Sequence, residues 1–353
     1  MSVTMTRREM LAGCAVVPAL GRPAGAVSAR PERLGIVSDS FANRMAADRT
    51  RADGGLRDPR AFLDHCHGLG AGGIQIGFGT RDQAYAEGLR AKAEAYKMYL
   101  EGSIGLPLDR ADADRFAKEV DTARQAGAKV LRTFMLGGRR YETFTTAEQF
   151  REWADRAFQS LVLAEPIVAR ANLKLAVENH KDWRVDEFLA ILKRLDSRHV
   201  GICVDTGNSI SLLEDPIEVV EAYAPWAYST HLKDMGVAEY EDGFLLAEVP
   251  LGEGFLDLKK IIATLRRAKP DVRFNLEMIT RDPLKVPCLK PKYWATFAGL
   301  PGRHLAQTLD MVRKHAPAKP LPRTSGLSQE QKLKLEEQNV RQCLAYASEH
   351  LEL

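Results

Sequence analysis

From Arg33 onward the chain repeats one pattern eight times, a short apolar run rich in β-formers followed by a longer amphipathic segment. The runs cover residues 33–39, 73–78, 99–106, 128–135, 173–180, 200–208, 226–234 and 272–278. Each is almost continuously apolar at its start, as strands buried on both faces of a parallel sheet must be. Between them, Phe62, Leu63, Cys66 and Leu69 recur at helical spacing after Asp58-Pro59, and residues 110–126, 146–171 and 185–195 show the same period. Gly70 and Gly127 stand where a helix has to stop before the next strand. Alternation alone also permits a doubly wound open sheet. Eight units over about 280 residues predict a single (β/α)8 TIM barrel of the α/β class.

Three additions decorate that plan. Residues 235–256 are too long for a simple connection after the seventh strand and carry Asp242-Gly243 between alternating residues, which predicts a small hairpin. Residues 279–302 hold Pro283, Pro287, Pro291 and Pro301 and predict a long ordered or lid-like loop after the eighth strand. The tail is rich in Glu, Gln and Lys from Ser328 on and predicts an extra C-terminal helix. The expected layout is a leader over 1–29, a barrel over 30–318 and a helical extension over 319–353.

The leader is expected because Arg7-Arg8 precede a modest apolar run, Met10 to Leu20, and then the small-residue stretch ending at Ala29. That order describes a secretory signal of the twin-arginine (Tat) type, with cleavage after Ala29 and a periplasmic destination. The run is too short for a permanent membrane span. Leu11-Ala12-Gly13-Cys14 resembles a lipoprotein box, but it starts so soon after Arg8-Glu9 that almost no apolar region precedes it. A lipid anchor on Cys14 is therefore not expected.

Charge narrows the partners. The 50 basic and 47 acidic residues leave +3 on the whole chain, and loss of Arg7, Arg8, Arg22 and Glu9 with the leader leaves the mature chain near +1. Nucleic-acid binding needs a concentrated basic face, so it is not expected. The expected partners are a small-molecule carbohydrate and the Tat export machinery, and a homo-oligomer is compatible with the composition. The five cysteines form no metal-binding or redox pair.

In a parallel barrel, chemistry collects where strands end. Strand five ends in Glu178-Asn179-His180-Lys181-Asp182, strand six in Asp205-Thr206-Gly207-Asn208, strand seven in His231-Leu232-Lys233-Asp234 and strand eight at Glu277. Two Glu, one Asp and one His from successive strands make an oxygen-rich set with one nitrogen. Such a set suits Mn²⁺, Mg²⁺, Co²⁺ or Zn²⁺, with Mn²⁺ favoured. Without a cation the converging carboxylates would repel one another.

The strand-end motifs VENH, VDTGN, THLKD and NLEM, in this order, resemble those of the xylose-isomerase-like TIM barrels, a superfamily of sugar isomerases, ketose 3-epimerases and inosose dehydratase. The resemblance runs from about Leu34 to His315. It implies that Glu178, Asp205, His231 and Glu277 bind one divalent ion, and that Glu178 and Glu277 are the catalytic proton carriers on opposite faces of the sugar. The expected function is a metal-dependent isomerase or epimerase of a sugar or sugar derivative, working through an enediolate. The alternatives are a metal-dependent lyase or hydratase on a keto-sugar or keto-glycoside, and a non-catalytic exported sugar-binding barrel. His180, Asn208, Lys233, Arg132, Gln75 and Glu253 are the expected substrate-binding residues, with Asp39 and Trp183 as further candidates. One departure stands out: 46 residues separate His231 from Glu277, against 27 and 26 for the two preceding steps. That excess chain predicts a remodelled pocket.

Overall fold

A computed structural model describes residues 33–353. The expected signal over 1–29 therefore lies outside the described residues. Each apolar run becomes a strand: β1 (Gly35–Val37), β2 (Gly73–Ile76), β3 (Tyr99–Ser103), β4 (Val130–Thr133), β5 (Lys174–Glu178), β6 (Val200–Asp205) and β7 (Ala227–Leu232). The excursion after β7 adds β8 (Asp234–Tyr240) and β9 (Gly243–Val249); β10 (Asn275–Leu276) is the eighth barrel strand and β11 (Leu284–Val286) follows it. The eight barrel strands close in the order β1-β10-β7-β6-β5-β4-β3-β2, every pair parallel. The ladders are shorter than the apolar runs. Ile104 and Met278, for example, stay buried after their strands have ended.

Helices start where the side chains demand it. Asp58 accepts the amide protons of Arg60 and Ala61 and caps Pro59–Gly68, with Pro59 in the first turn. Thr146 and Asp215 cap Ala147–Arg170 and Pro216–Tyr223 in the same way. Gly70 and Gly127 take φ of 86° and 84° just past helix ends, a left-handed conformation that glycine adopts without a Cβ penalty.

The expected hairpin forms, and the proline-rich loop joins it. β11 pairs antiparallel with β9 to complete a three-stranded sheet in the order β11-β9-β8. The rest of that loop includes a 3-10 turn, Pro291–Thr296, whose Tyr293 hydroxyl donates to Ser211 O at 2.8 Å. The loop is thus docked on the connection after β6.

The C-terminal helix, Gln329–His350, begins with a capping box between Ser328 and Gln331 and buries Val340, Cys343 and Ala347. It also buries Glu336, whose carboxylate accepts from Asn43 N at 2.7 Å, Asn43 Nδ2 at 2.9 Å and Arg44 N at 3.0 Å. Those amides open the short helix Ala42–Ala47 that follows β1. The tail therefore fastens the first loop of the barrel mouth. Cys66, Cys203, Cys288 and Cys343 are free, buried thiols. Among the described residues no helix is long and apolar enough to cross a membrane.

Candidate metal centre

Register brings the four chelating side chains together. Asp205 pairs with His231 across β6 and β7, Glu178 pairs with Cys203, and Asn275 pairs with His231 so that Glu277 lies two residues further along the same face. One ligand atom from each of Glu178, Asp205, His231 and Glu277 lies within 4.8 Å of the others, and all four residues are buried. His231 Nδ1 stands 3.4 Å from Glu178 Oε2, 3.3 Å from Glu277 Oε1 and 3.9 Å from Asp205 Oδ2.

A second layer decides which imidazole nitrogen faces this group. Gln75 Nε2 donates to Glu101 Oε2 at 2.9 Å and Ser229 Oγ at 3.2 Å, so its carbonyl is turned the other way. That carbonyl, Gln75 Oε1, lies 2.7 Å from His231 Nε2. An amide oxygen only accepts, so Nε2 carries a proton and Nδ1 is the nitrogen turned to the carboxylates. Nδ1 is buried with no hydrogen-bond partner. A lone pair facing two carboxylate oxygens at this range is repulsive without a cation between them. The donor set and the orphan nitrogen both fit a divalent ion.

Buried cations flank the set. Arg132 donates through Nε to Glu178 Oε2 at 2.7 Å and again through its terminal nitrogen. Lys233 Nζ lies 2.5 Å from Glu277 Oε2 and 2.9 Å from Asp205 Oδ2. Burial works against the charged form of Glu178, yet the Arg132 guanidinium beside it holds its carboxyl well below the usual range. Burial likewise opposes ionisation of Glu277, and the Lys233 ammonium outweighs it. Asn208 donates from Nδ2 to Glu178 Oε1 at 3.0 Å while its carbonyl accepts from Lys233 at 3.2 Å and from Lys181.

Above the set opens a cleft of about 550 Å³ whose wall includes Asp39, Arg132, His180, Lys181, Lys233 and Glu277. His180 donates from Nδ1 to Leu136 O at 2.8 Å. Burial drives its pKa down to about 4, so the ring is neutral at ordinary pH. Lys181 sits in left-handed backbone, φ 69°, a conformation that costs a non-glycine residue about 1–2 kcal/mol. The hairpin brings Glu248 up behind this wall, where it pairs with Arg281 from the loop after β10 and lies 3.8 Å from Lys233.

The other expected contacts fall elsewhere. Gln75 has no exposed surface, and both ends of its amide are committed inside the barrel. Glu253 is exposed on the loop after β9, accepts from Gln342 of the C-terminal helix and lines a separate cavity of about 840 Å³. Trp183 is buried, stacked on Trp153 at 4.9 Å, with Nε1 directed at Met135 Sδ. Its neighbours are helix aromatics rather than the mouth. Lys181, Glu248, Arg281 and Glu101 escaped sequence reasoning. The one available signal was a lysine inside the strand-five polar run; the other three required knowledge of which loops meet.

The fold and site together define a class: a closed parallel barrel with a buried carboxylate–imidazole set at its mouth that could hold a metal ion. The chain belongs to the xylose isomerase-like TIM barrel family, whose pattern it matches over residues 63–314. It is 29% identical over 213 residues to the 3-oxo-isoapionate decarboxylase of Pectobacterium atrosepticum, covering 58% of this chain and 72% of that protein. A xylose isomerase-like TIM barrel protein from Mycobacterium smegmatis, solved with magnesium, shares the fold at a TM-score of 0.55 and 18% identity, covering 78% of this chain and 97% of that one. D-psicose 3-epimerase from Clostridium cellulolyticum, solved with D-tagatose, matches at a TM-score of 0.54 and 13% identity, covering 80% and 99%.

Proposed function

We propose that this protein is a divalent-metal enzyme, Mn²⁺ being the favoured ion, that moves a proton at the carbon beside a ketone in a sugar derivative, as isomerases and epimerases do. The supporting observation is the pairing of Glu178 and Glu277 at the ends of one ligand set, on strands three places apart around an eight-stranded barrel. A divalent ion held by the four ligands would polarise the ketone and steady an enediolate. Glu178 and Glu277 would then take and return the proton from opposite faces. Arg132 and Lys233 keep those carboxylates ionised, while Asn208 fixes the angle of Glu178. His180 and Asp39 stand on the cleft wall where substrate hydroxyls would lie.

The likeness to a decarboxylase supports a second reading, in which a keto-sugar acid loses carbon dioxide. The bond to the carboxylate carbon breaks, its electron pair stays on the neighbouring carbon, and a proton is added there. Incubating Mn²⁺-loaded protein in D₂O with ketoses and keto-sugar acids separates the two. Isomerisation keeps every carbon and introduces deuterium; decarboxylation releases CO₂. No exchange and no CO₂ across both panels would refute the enzyme reading. Glu277→Gln is expected to lower turnover by about 10²–10⁴-fold. We also propose export through a Tat signal over residues 1–29, which N-terminal sequencing of periplasmic protein tests.

A further inference from the structure

We infer that Lys181 is the seat for an anionic group of the substrate, a carboxylate next to the carbons that reach the metal ligands. The inference rests on the proposed function only in taking the metal to lie among Glu178, Asp205, His231 and Glu277.

The starting point is an imbalance among buried cations. Arg132 faces Glu178, Lys233 faces Asp205 and Glu277, and Arg281 faces Glu248, each within ion-pair range. Lys181 is different. It is only 4% exposed, and among the described residues no carboxylate lies within ion-pair distance of its ammonium. Its hydrogen-bond acceptor is the neutral carbonyl of Asn208. An ammonium has three protons to donate, and burying one without a counter-charge is unfavourable.

The surroundings deepen the imbalance. Lys233 and Arg281 press on Lys181 as like charges, while Asp205 and Glu248 act on it from longer range. Burial is the largest influence, and together these lower its pKa to about 8. The backbone nevertheless holds the residue in place. Arg140 N donates to Lys181 O at 3.0 Å, and Asp182 Oδ1 accepts from His180 N and Trp183 N, locking the turn on both sides. A strained, fixed backbone that points a buried cation at a cleft is an arrangement that a ligand completes.

Position sets the chemistry of that ligand. Lys181 and Glu277 line the same cleft, and one amide, Asn208, spans from the Lys181 ammonium to the Glu178 carboxylate. A group seated on Lys181 is therefore close in the substrate chain to the carbons under attack. Lys181 offers one unpaired positive charge, which the single negative charge of a carboxylate balances, whereas a phosphate group carries about −1.5 to −2 near pH 7, so a carboxylate is the fitting anion. The substrate class is accordingly a keto-sugar acid rather than a neutral ketose.

The test compares two probes with one carbon skeleton, 2-keto-D-gluconate and D-fructose, which differ only in a terminal carboxylate against a hydroxymethyl group. Binding of each to the Mn²⁺-loaded full chain is measured by calorimetry for the native protein, Lys181→Met and Lys181→Arg. The acid is expected to bind more tightly than fructose by at least about tenfold, the gain typical of a hydrogen bond to a charged group. Lys181→Met should erase that preference by weakening binding of the acid more than that of fructose, and Lys181→Arg should restore most of it. A native protein that binds both probes alike, or neither, overturns the inference without recourse to any variant. A preference that survives Lys181→Met also overturns it, because the ion alone would then be holding the carboxylate. Deuterium exchange judges the reaction separately: exchange absent with the preference intact refutes the chemistry and leaves the seat standing.

Discussion

Gln75 Oε1 accepts the Nε2 proton of His231 at 2.7 Å, and it is held in that sense because Gln75 Nε2 donates to Glu101 and Ser229. The amide can flip only by aiming a donor at a donor. A residue three strands away in the barrel order from Glu178 thereby decides which nitrogen the ligand set sees.

Gln75→Leu removes the acceptor and frees both the tautomer and the ring angle. Mn²⁺ affinity should fall by about 10–100-fold, the usual effect of losing a partner behind a histidine ligand. Titration followed by electron paramagnetic resonance measures it directly. Unchanged affinity would show that Gln75 does not orient the ring.

Asp182 supplies a pH signature. Burial raises its carboxyl from 3.8 to about 7, and Oδ2 is buried without a partner. Between those values the folded protein holds a proton that the unfolded chain has lost, so stability falls as pH rises through that window. Glu214, also raised to about 7 by burial, contributes with the same sign. Asp182→Asn keeps the oxygen that accepts from His180 N and Trp183 N, and it should flatten part of the slope of urea stability between pH 4 and 7. An identical slope in the variant would rule out a proton on Asp182.

Gly254 tests the loop after the hairpin. Asp234 gathers four backbone amides there, from Met235, Gly252, Gly254 and Leu256. A Cβ on Gly254 would collide with the Asp234 carboxylate. Gly254→Ala should cost about 1–3 kcal/mol in chemical denaturation, as overpacking does. A neutral result would mean that the carboxylate has room to retreat.

Glu336 is a cap supplied from nearly three hundred residues away, to Asn43 and Arg44. Glu336→Ala should cost about 1–2 kcal/mol, the upper range for a helix cap. Thermal unfolding measures the loss, and limited proteolysis should detect faster cleavage around residues 42–50. Glu336→Gln should recover part of the stability, since an amide oxygen can still accept.

Much of this architecture can be read from the residues alone. Apolar runs ending in Glu178, Asp205, His231 and Glu277 announce both the barrel and the convergence, because parallel strands in register must bring their ends together. Asp242-Gly243 likewise marks a hairpin through turn chemistry. Contacts between distant loops leave no such trace. Glu248 meets Arg281 only because β11 joins the hairpin, and Trp183 turns away from the mouth because Trp153 and Phe150 on a neighbouring helix receive it. Gln75 shows the same limit from inside the barrel. Its position in β2 says that it points inward, but not that Glu101 and Ser229 have already claimed its amide.

The bond from Glu336 to the helix after β1 sets an order of events. Asn43 and Arg44 leave the ribosome early, and their partner follows nearly three hundred residues later. While the chain is still being translated, the first loop of the mouth has its sequence but lacks its fastening. That loop is fastened only once Glu336 has emerged, so a nascent chain can pair its barrel strands, the last of them at Asn275–Leu276, before the helix after β1 is held.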